Sequence, residues 1–178
     1  GQSFYVFPGT QIVTSERIEV LSLTTAVEGL DGLPAKETVK RALAEGGVPV
    51  LSWAPGKWFF ERGKVVAKII NEFTPGNLLI GDTSLRPGIW LEPILMRKAK
   101  QKGLGIIAGS DPLPFRGEER YPGSLVSAIE TAFNPEKPAF STRNALLSEK
   151  PEITHHGKHC GTITALSRIF RCFCSPRA

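Results

Sequence analysis

Hydrophobic positions along this chain gather into short, nearly unbroken runs, and longer stretches of helical period lie between them. Val48-Pro49-Val50-Leu51-Ser52-Trp53, Leu78-Leu79-Ile80-Gly81 and Ile106-Ile107-Ala108-Gly109 show no polar alternation, as expected of strands covered on both faces. Between the first two, Lys64 to Phe73 sets Val65, Val66, Ile69, Ile70 and Phe73 at helical spacing and stops at Thr74-Pro75-Gly76. Between the second pair, Trp90 to Lys102 reads as a helix with Leu91, Ile94, Leu95 and Ala99 inward, ended by Gly103. An earlier helix starts at Pro34, turns Val39, Ala42 and Leu43 away from Lys36, Glu37, Lys40 and Arg41, and ends at Gly46-Gly47. These are ordinary helix punctuation marks. Strand and helix alternating across short glycine-containing joints predict a parallel sheet with right-handed crossovers.

The flanks read differently. Gln11–Thr14 and Ile18–Leu23 are β-prone and separated by Ser15-Glu16-Arg17, which predicts a hairpin. Past Gly123, Ser124 to Phe133 reads as a helix, Pro135-Glu136-Lys137-Pro138 as a break, and Thr142 to Ser148 as a short turn or helix. Gly161 to Cys174 predicts a final amphipathic helix with Ile163, Leu166, Ile169, Phe170 and Phe173 on one side. The organisation expected is an α/β domain over residues 1–149 and a basic C-terminal segment, linker plus amphipathic helix, over 150–178.

Composition narrows the class without naming it. The 178 residues, 41% hydrophobic and 22% charged, suit one globular domain able to bury a core. No apolar run approaches the roughly 20 residues that span a bilayer, and no leader pattern precedes a cleavage site. The chain opens on Gly1 rather than methionine. Net charge is +5, and Lys158, Arg168, Arg171 and Arg177 crowd the end, where Glu152 is the only acid after Glu149. Such an end can touch a nucleic acid or a membrane surface, but a solvated helix face is the simpler reading, and no nucleic-acid motif accompanies it. Three cysteines, Cys160, Cys172 and Cys174, are an odd count that suits reduced thiols and a cytoplasmic protein.

Candidate chemistry sits where two strands end. Leu78–Gly81 runs into Asp82-Thr83-Ser84, and Ile106–Gly109 into Ser110-Asp111-Pro112. Carboxylates and hydroxyls at strand C-termini are where parallel α/β proteins build sites. Neighbouring strands lie about 4.8 Å apart, so Asp82 and Asp111 could share a divalent cation or a substrate hydroxyl. Alternatively, each aspartate caps its own turn. The loop from Ser52 to Gly63 holds Trp53, Trp58, Phe59 and Phe60 with Lys57, Glu61 and Arg62, either as a lid or as a hydrophobic cluster beneath the sheet's end. Lys57 and Arg62, with Arg86 and Arg116 in the next loops, make a small phosphate or carboxylate ligand the leading expectation, with Ser84 and Ser110 beside it.

The histidines stand apart from this set. His155 and His159 are four residues apart and Cys160 adds a thiolate, a set of zinc-ligand types. Gly157 and Gly161 interrupt any helix that would align them, and no fourth ligand is in view; a polar surface linker is the simpler reading. Gly103-Leu104-Gly105 precedes a strand, the wrong context for a dinucleotide fingerprint, and no P-loop or nucleophile-elbow motif is present.

The order Pro8-Gly9-Thr10-Gln11-Ile12-Val13-Thr14, Ile18-Glu19-Val20-Leu21-Ser22-Leu23, Gly46-Gly47-Val48-Pro49-Val50-Leu51 and Ala108-Gly109-Ser110-Asp111 resembles the PHP (polymerase and histidinol phosphatase-like) family. The resemblance covers Phe7 to Pro114. It implies a distorted, incomplete TIM-like barrel of parallel βα units, with a helical C-terminal segment, and an ancestry among metal-dependent hydrolases. It also shows departures. The family commonly has glutamate where Gln11 stands, histidine where Glu19 stands, a histidine near the strand ending at Leu51, and a histidine soon after the Gly-Ser-Asp where Pro112 follows here. Its first histidine-bearing strand would lie before Phe4. Asp111 alone carries over as a family metal ligand.

Three functions follow as expectations. The first is a metal-poor PHP-like domain binding a small anionic ligand at the strand C-termini, with Asp82 and Asp111 orienting it. The second is a phosphoesterase-type hydrolase holding Mg²⁺ or Mn²⁺ on Asp82, Asp111 and Glu16 or Glu19. The third is an interaction module whose basic helix, with Arg168, Arg171 and Arg177, docks on a partner.

Overall fold

The computed structural model describes residues 3–174. Its central element is a five-stranded sheet built from β1 (Thr10–Val13), β2 (Glu19–Leu23), β3 (Val48–Ser52), β4 (Leu79–Thr83) and β5 (Ile106–Gly109), in that spatial order. β1, β2 and β3 pair antiparallel, whereas β3, β4 and β5 run parallel. The expected hairpin is present, with Thr10 opposite Ser22 and Val13 opposite Glu19.

Three helices cover one face: α1 (Ala35–Ala44), α2 (Phe60–Glu72) and α3 (Ile94–Gln101). They bring Ala35, Val39, Val66, Ile69, Ile70, Met96 and Ala99 onto Val20, Leu51, Ile80 and Ile106 in one buried core. Strand alternation then assigns the faces. Val20, Leu51 and Ile80 point to the helices, and their neighbours Leu21, Val50 and Leu79 point to the opposite side, where a second cluster forms. That cluster is completed by Leu146 of α4 (Pro138–Leu146), Ile129 of β6 (Leu125–Ile129) and Ile153 of β7 (Ile153–Gly157). It covers the starts of β3 and β4 and leaves their C-terminal ends open.

The sheet does not close into a barrel, which corrects the incomplete TIM-like barrel expected from the βα rhythm. Closure needs a continuous hydrogen-bonded ring of strands. Here the parallel run stops after three strands, β1 remains a free edge, and β6 with β7 forms a separate two-stranded antiparallel sheet. Across the seam, the Ser127 hydroxyl accepts from the Ala108 N–H at 2.7 Å and donates to the Ala108 carbonyl at 3.0 Å. A side chain thus satisfies backbone groups of β5 that no further strand reaches.

Several local expectations also change. Ser124–Phe133 is not a helix; Leu125, Ser127 and Ile129 alternate inward along β6, a period of two that a run of mixed apolar residues concealed. The histidine segment is not a linker, because His155 and His156 lie in β7 opposite Ser127 and Val126. Gly157 ends that strand at φ 102°, and a Cβ there would meet the Ser124 carbonyl oxygen at 2.1 Å, so only glycine fits. α3 begins at Ile94, after Pro93, leaving Leu91 and Ile94 exposed while Met96 and Ala99 enter the core. The final helix, α5 (Thr162–Cys174), forms where its pattern predicts. Phe173 and Arg177 lie outside the residues whose side chains are described.

Candidate functional site

The open end of the second sheet face is a groove of about 270 Å³. Its floor is apolar, made by Leu21, Leu23, Val50 and Ile107, and its polar border includes Gln11, Glu19, Ser52, Thr83 and Asp111. Two glycines keep it clear. At Gly81 a Cβ would press on Val50 Cγ1 at 3.1 Å, and at Gly109 a Cβ would project into open space.

Asp111 occupies the turn after β5 with φ 46°, a left-handed conformation just before a proline. Pre-proline residues favour extended backbone, so this is a strained position of the kind found where a side chain must be aimed. The Thr83 hydroxyl donates to Asp111 Oδ2 at 3.0 Å. The residue as a whole is exposed, but desolvation of its carboxyl against the groove wall raises it above the ordinary aspartate range; the Thr83 bond offsets part of this, and the like charge of Glu19 adds to it.

Asp82 is one position before Thr83 on β4 and therefore on the other side of the strand. It borders the groove, but its carboxylate is held by Arg86, with Nε–Oδ1 at 3.0 Å and Nη2–Oδ2 at 2.6 Å. His159 Nε2 lies 3.1 Å from Asp82 Oδ2 and 3.0 Å from Arg86 Nη2. A given tautomer can satisfy only one of these contacts, since the guanidinium donates and the carboxylate accepts. Burial alone would raise the Asp82 carboxyl, but the Arg86 hydrogen bonds and charge, followed by His159, hold it below its ordinary value. His159 is the one member of the predicted histidine segment that reaches the strand ends, and nothing local in the sequence marks it.

The basic residues expected to form an anion rim are dispersed or engaged. Lys57 forms an ion pair with Glu19. Arg86 is committed to Asp82. Arg62 donates to the Gly56 carbonyl at 3.0 Å. Arg116 is exposed beyond the groove, in a loop whose carbonyl accepts from Arg171. In the aromatic loop, Trp53 and Trp58 are buried and the Trp58 Nε1–H donates to the Ser52 carbonyl at 3.1 Å, whereas Phe59 and Phe60 are exposed. The two serines also have internal partners. Ser84 donates to the Ser110 carbonyl at 2.5 Å, and the Ser110 hydroxyl accepts from the Gly123 N–H at 3.1 Å.

A second cluster, unmarked in the sequence, braces these loops. Arg168 of α5 and Glu118 are each 3% exposed and joined by Nη2–Oε2 at 2.5 Å and Nε–Oε2 at 2.9 Å. The same guanidinium donates to the Asp111 carbonyl at 3.2 Å and to Cys160 Sγ at 3.0 Å, and stacks on Tyr121 at 4.1 Å from its centroid. Burial would raise the Glu118 carboxyl, yet Arg168 and the Leu113 N–H bring it below the usual range. Arg168, expected to face a partner, is thus an internal brace.

The donors for a hard divalent cation do not converge. Glu16 caps α1 by accepting from the Ala35 N–H at 2.9 Å, Glu19 is paired with Lys57, and Asp82 and Asp111 turn to different partners. Among the described residues, no three His, Cys, Asp or Glu side chains form a group that could hold a metal ion. No family model matches the chain, and no curated protein matches it.

Proposed function

We propose that the groove is a binding site for a small ligand with an apolar body and hydroxyl or amine donors, and that Asp111 is the carboxyl that meets those donors. The observation that carries this reading is the pairing along the lining: Lys57 and Arg86 neutralise Glu19 and Asp82, whereas Asp111 borders the groove with a hydrogen bond from Thr83 and no ion-pair partner among the described residues. Glu19 and Asp111 offer acceptor oxygens, Ser52 and Gln11 offer further hydrogen bonds, and the aliphatic floor takes the ligand's carbon skeleton. An anionic ligand, the leading expectation from the sequence, would have to draw Lys57 or Arg86 away from its carboxylate.

Thermal-shift screening of polyols, amino sugars and sugar phosphates against the wild type, Asp111→Asn and Gly109→Leu tests the reading. Stabilisation by polyols or amino sugars that both variants abolish is the expected result, since leucine at 109 fills the groove. Hits restricted to phosphates and retained in Asp111→Asn would replace this reading with the anionic one.

A further inference from the structure

We propose that α5 docks this protein on the surface of an anionic lipid bilayer. The helix packs with its polarity inverted. Among its described side chains the buried ones are Ala165 and the charged Arg168, while the apolar stripe runs from the half-buried Ile169 outward, with Ile163 85%, Leu166 52% and Phe170 67% exposed. Positions 163, 166 and 170 recur at helical spacing and form one continuous strip. Arg168 alone makes bonds to Glu118, Asp111, Cys160 and Ser84. That set of bonds fixes the helix to the domain through its charged side and leaves the apolar side for something else.

A second apolar element adjoins the first. The Gly88 N–H donates to the Cys160 carbonyl at 3.1 Å, two residues before α5, and the loop that follows exposes Ile89, Trp90 and Leu91. Exposed apolar side chains gathered on two elements joined in this way mark a docking site rather than ordinary solvent-facing surface.

Charge selects the occupant. No acidic residue follows Glu152 in the sequence. Lys158 stands exposed before the helix, and the exposed Arg171 lies one residue beyond Phe170, about 100° round from it. Arg116 and Arg120 are exposed on the neighbouring loop. Of the acids beside these elements, Glu118 is buried against Arg168 and Glu92 is paired with Lys100. An apolar strip flanked by arginine and lysine, with a tryptophan beside it, suits the boundary between anionic headgroups and acyl chains. No helix among the described residues is long and apolar enough to cross a membrane, so the contact is with the surface.

The test is flotation of the full chain with vesicles of phosphatidylcholine alone and of a three-to-one phosphatidylcholine–phosphatidylserine mixture, with light scattering of the free protein. The wild type is expected to float with the mixed vesicles and to be released by high salt. Leu166→Ser combined with Phe170→Ser should weaken binding by about tenfold or more, with an unchanged circular dichroism spectrum because both side chains are exposed. Absence of flotation on the mixed vesicles overturns the proposal, as does equal flotation on phosphatidylcholine alone. A wild-type dimer that the double variant converts to monomer also overturns it and assigns the face to a second copy of the chain.

Discussion

β4 and β5 are neighbouring parallel strands that deliver an aspartate and hydroxyl groups to the same end of one sheet. Asp82 meets Arg86 and His159, is nearly enclosed, and is held in its charged form. Asp111 sits on a strained turn with a single side-chain hydrogen bond from Thr83, and its carboxyl is raised. The difference begins with one residue of register. Asp82 lies within its strand, on the side opposite Thr83, whereas Asp111 lies two residues past the end of β5, where the turn swings its side chain back toward the groove. Two carboxylates with like sequence surroundings therefore divide into a structural anchor and a group that borders the open groove. Environments that push paired carboxyls in opposite directions are a recurring feature of sites that bind or move protons.

The largest expected effect tests the brace that both strand ends share. Arg168→Ala should cost about 3–5 kcal/mol in urea denaturation, because it strands Glu118 as a buried, unpaired charge. Replacing both partners with apolar residues, Arg168→Met with Glu118→Leu, should recover much of that loss. A cost below about 1 kcal/mol for the single variant would show that the buried pair does not organise these loops.

Next in size is Arg86→Ala, expected to cost about 2–4 kcal/mol at neutral pH through the uncompensated Asp82 carboxylate. Asp82 has a folded pKa below its unfolded value. Its stabilising contribution is therefore present above the unfolded aspartate range, near pH 4, and is lost as pH falls through the lower folded value. The gap between wild type and Arg86→Ala should accordingly narrow in acid. A gap that stays constant from pH 7 to pH 3 would mean that the arginine acts through packing instead of charge.

The smallest effect has the opposite sign. The folded pKa of Asp111 is raised, so its contribution is fully present below the unfolded value and is lost as pH rises through the folded one. Asp111→Asn keeps an acceptor for Thr83, removes the charge facing Glu19, and tolerates the positive φ. It should raise Tm slightly at pH 7 and leave it unchanged at pH 3. A fall in Tm at pH 7 would show that the ionised form is the better fit and would make the two aspartates alike after all.

Local pattern made much of the architecture legible. Val39 and Ala42 on α1, Ile69 and Ile70 on α2, and the unbroken apolar runs of β3, β4 and β5 all enter the core as their periods predict. Where the pattern was ambiguous, the reading failed. β6 is five residues of mixed apolar character whose pairing with β7 overrides any helical tendency. α5 was legible as an amphipathic helix but not in its orientation, because a stripe of apolar residues does not state which side the rest of the chain will cover.

The sequence by itself determined most of the elements, with β6 the exception. Glycine and proline stop a helix, and apolar spacing selects a strand or a helix, through contacts made within a few residues. Only the tertiary structure decided which groups meet. Arg168 and Glu118 are 50 residues apart, and His159 and Asp82 are 77 apart. Side-chain pairs of that separation leave no mark in local spacing, because they form only when the packing of distant elements brings them together. Closure of the sheet belongs to the same class. Whether a strand finds one more neighbour depends on the position of the whole chain around it, and here β5 finds the Ser127 hydroxyl instead of a fourth parallel strand.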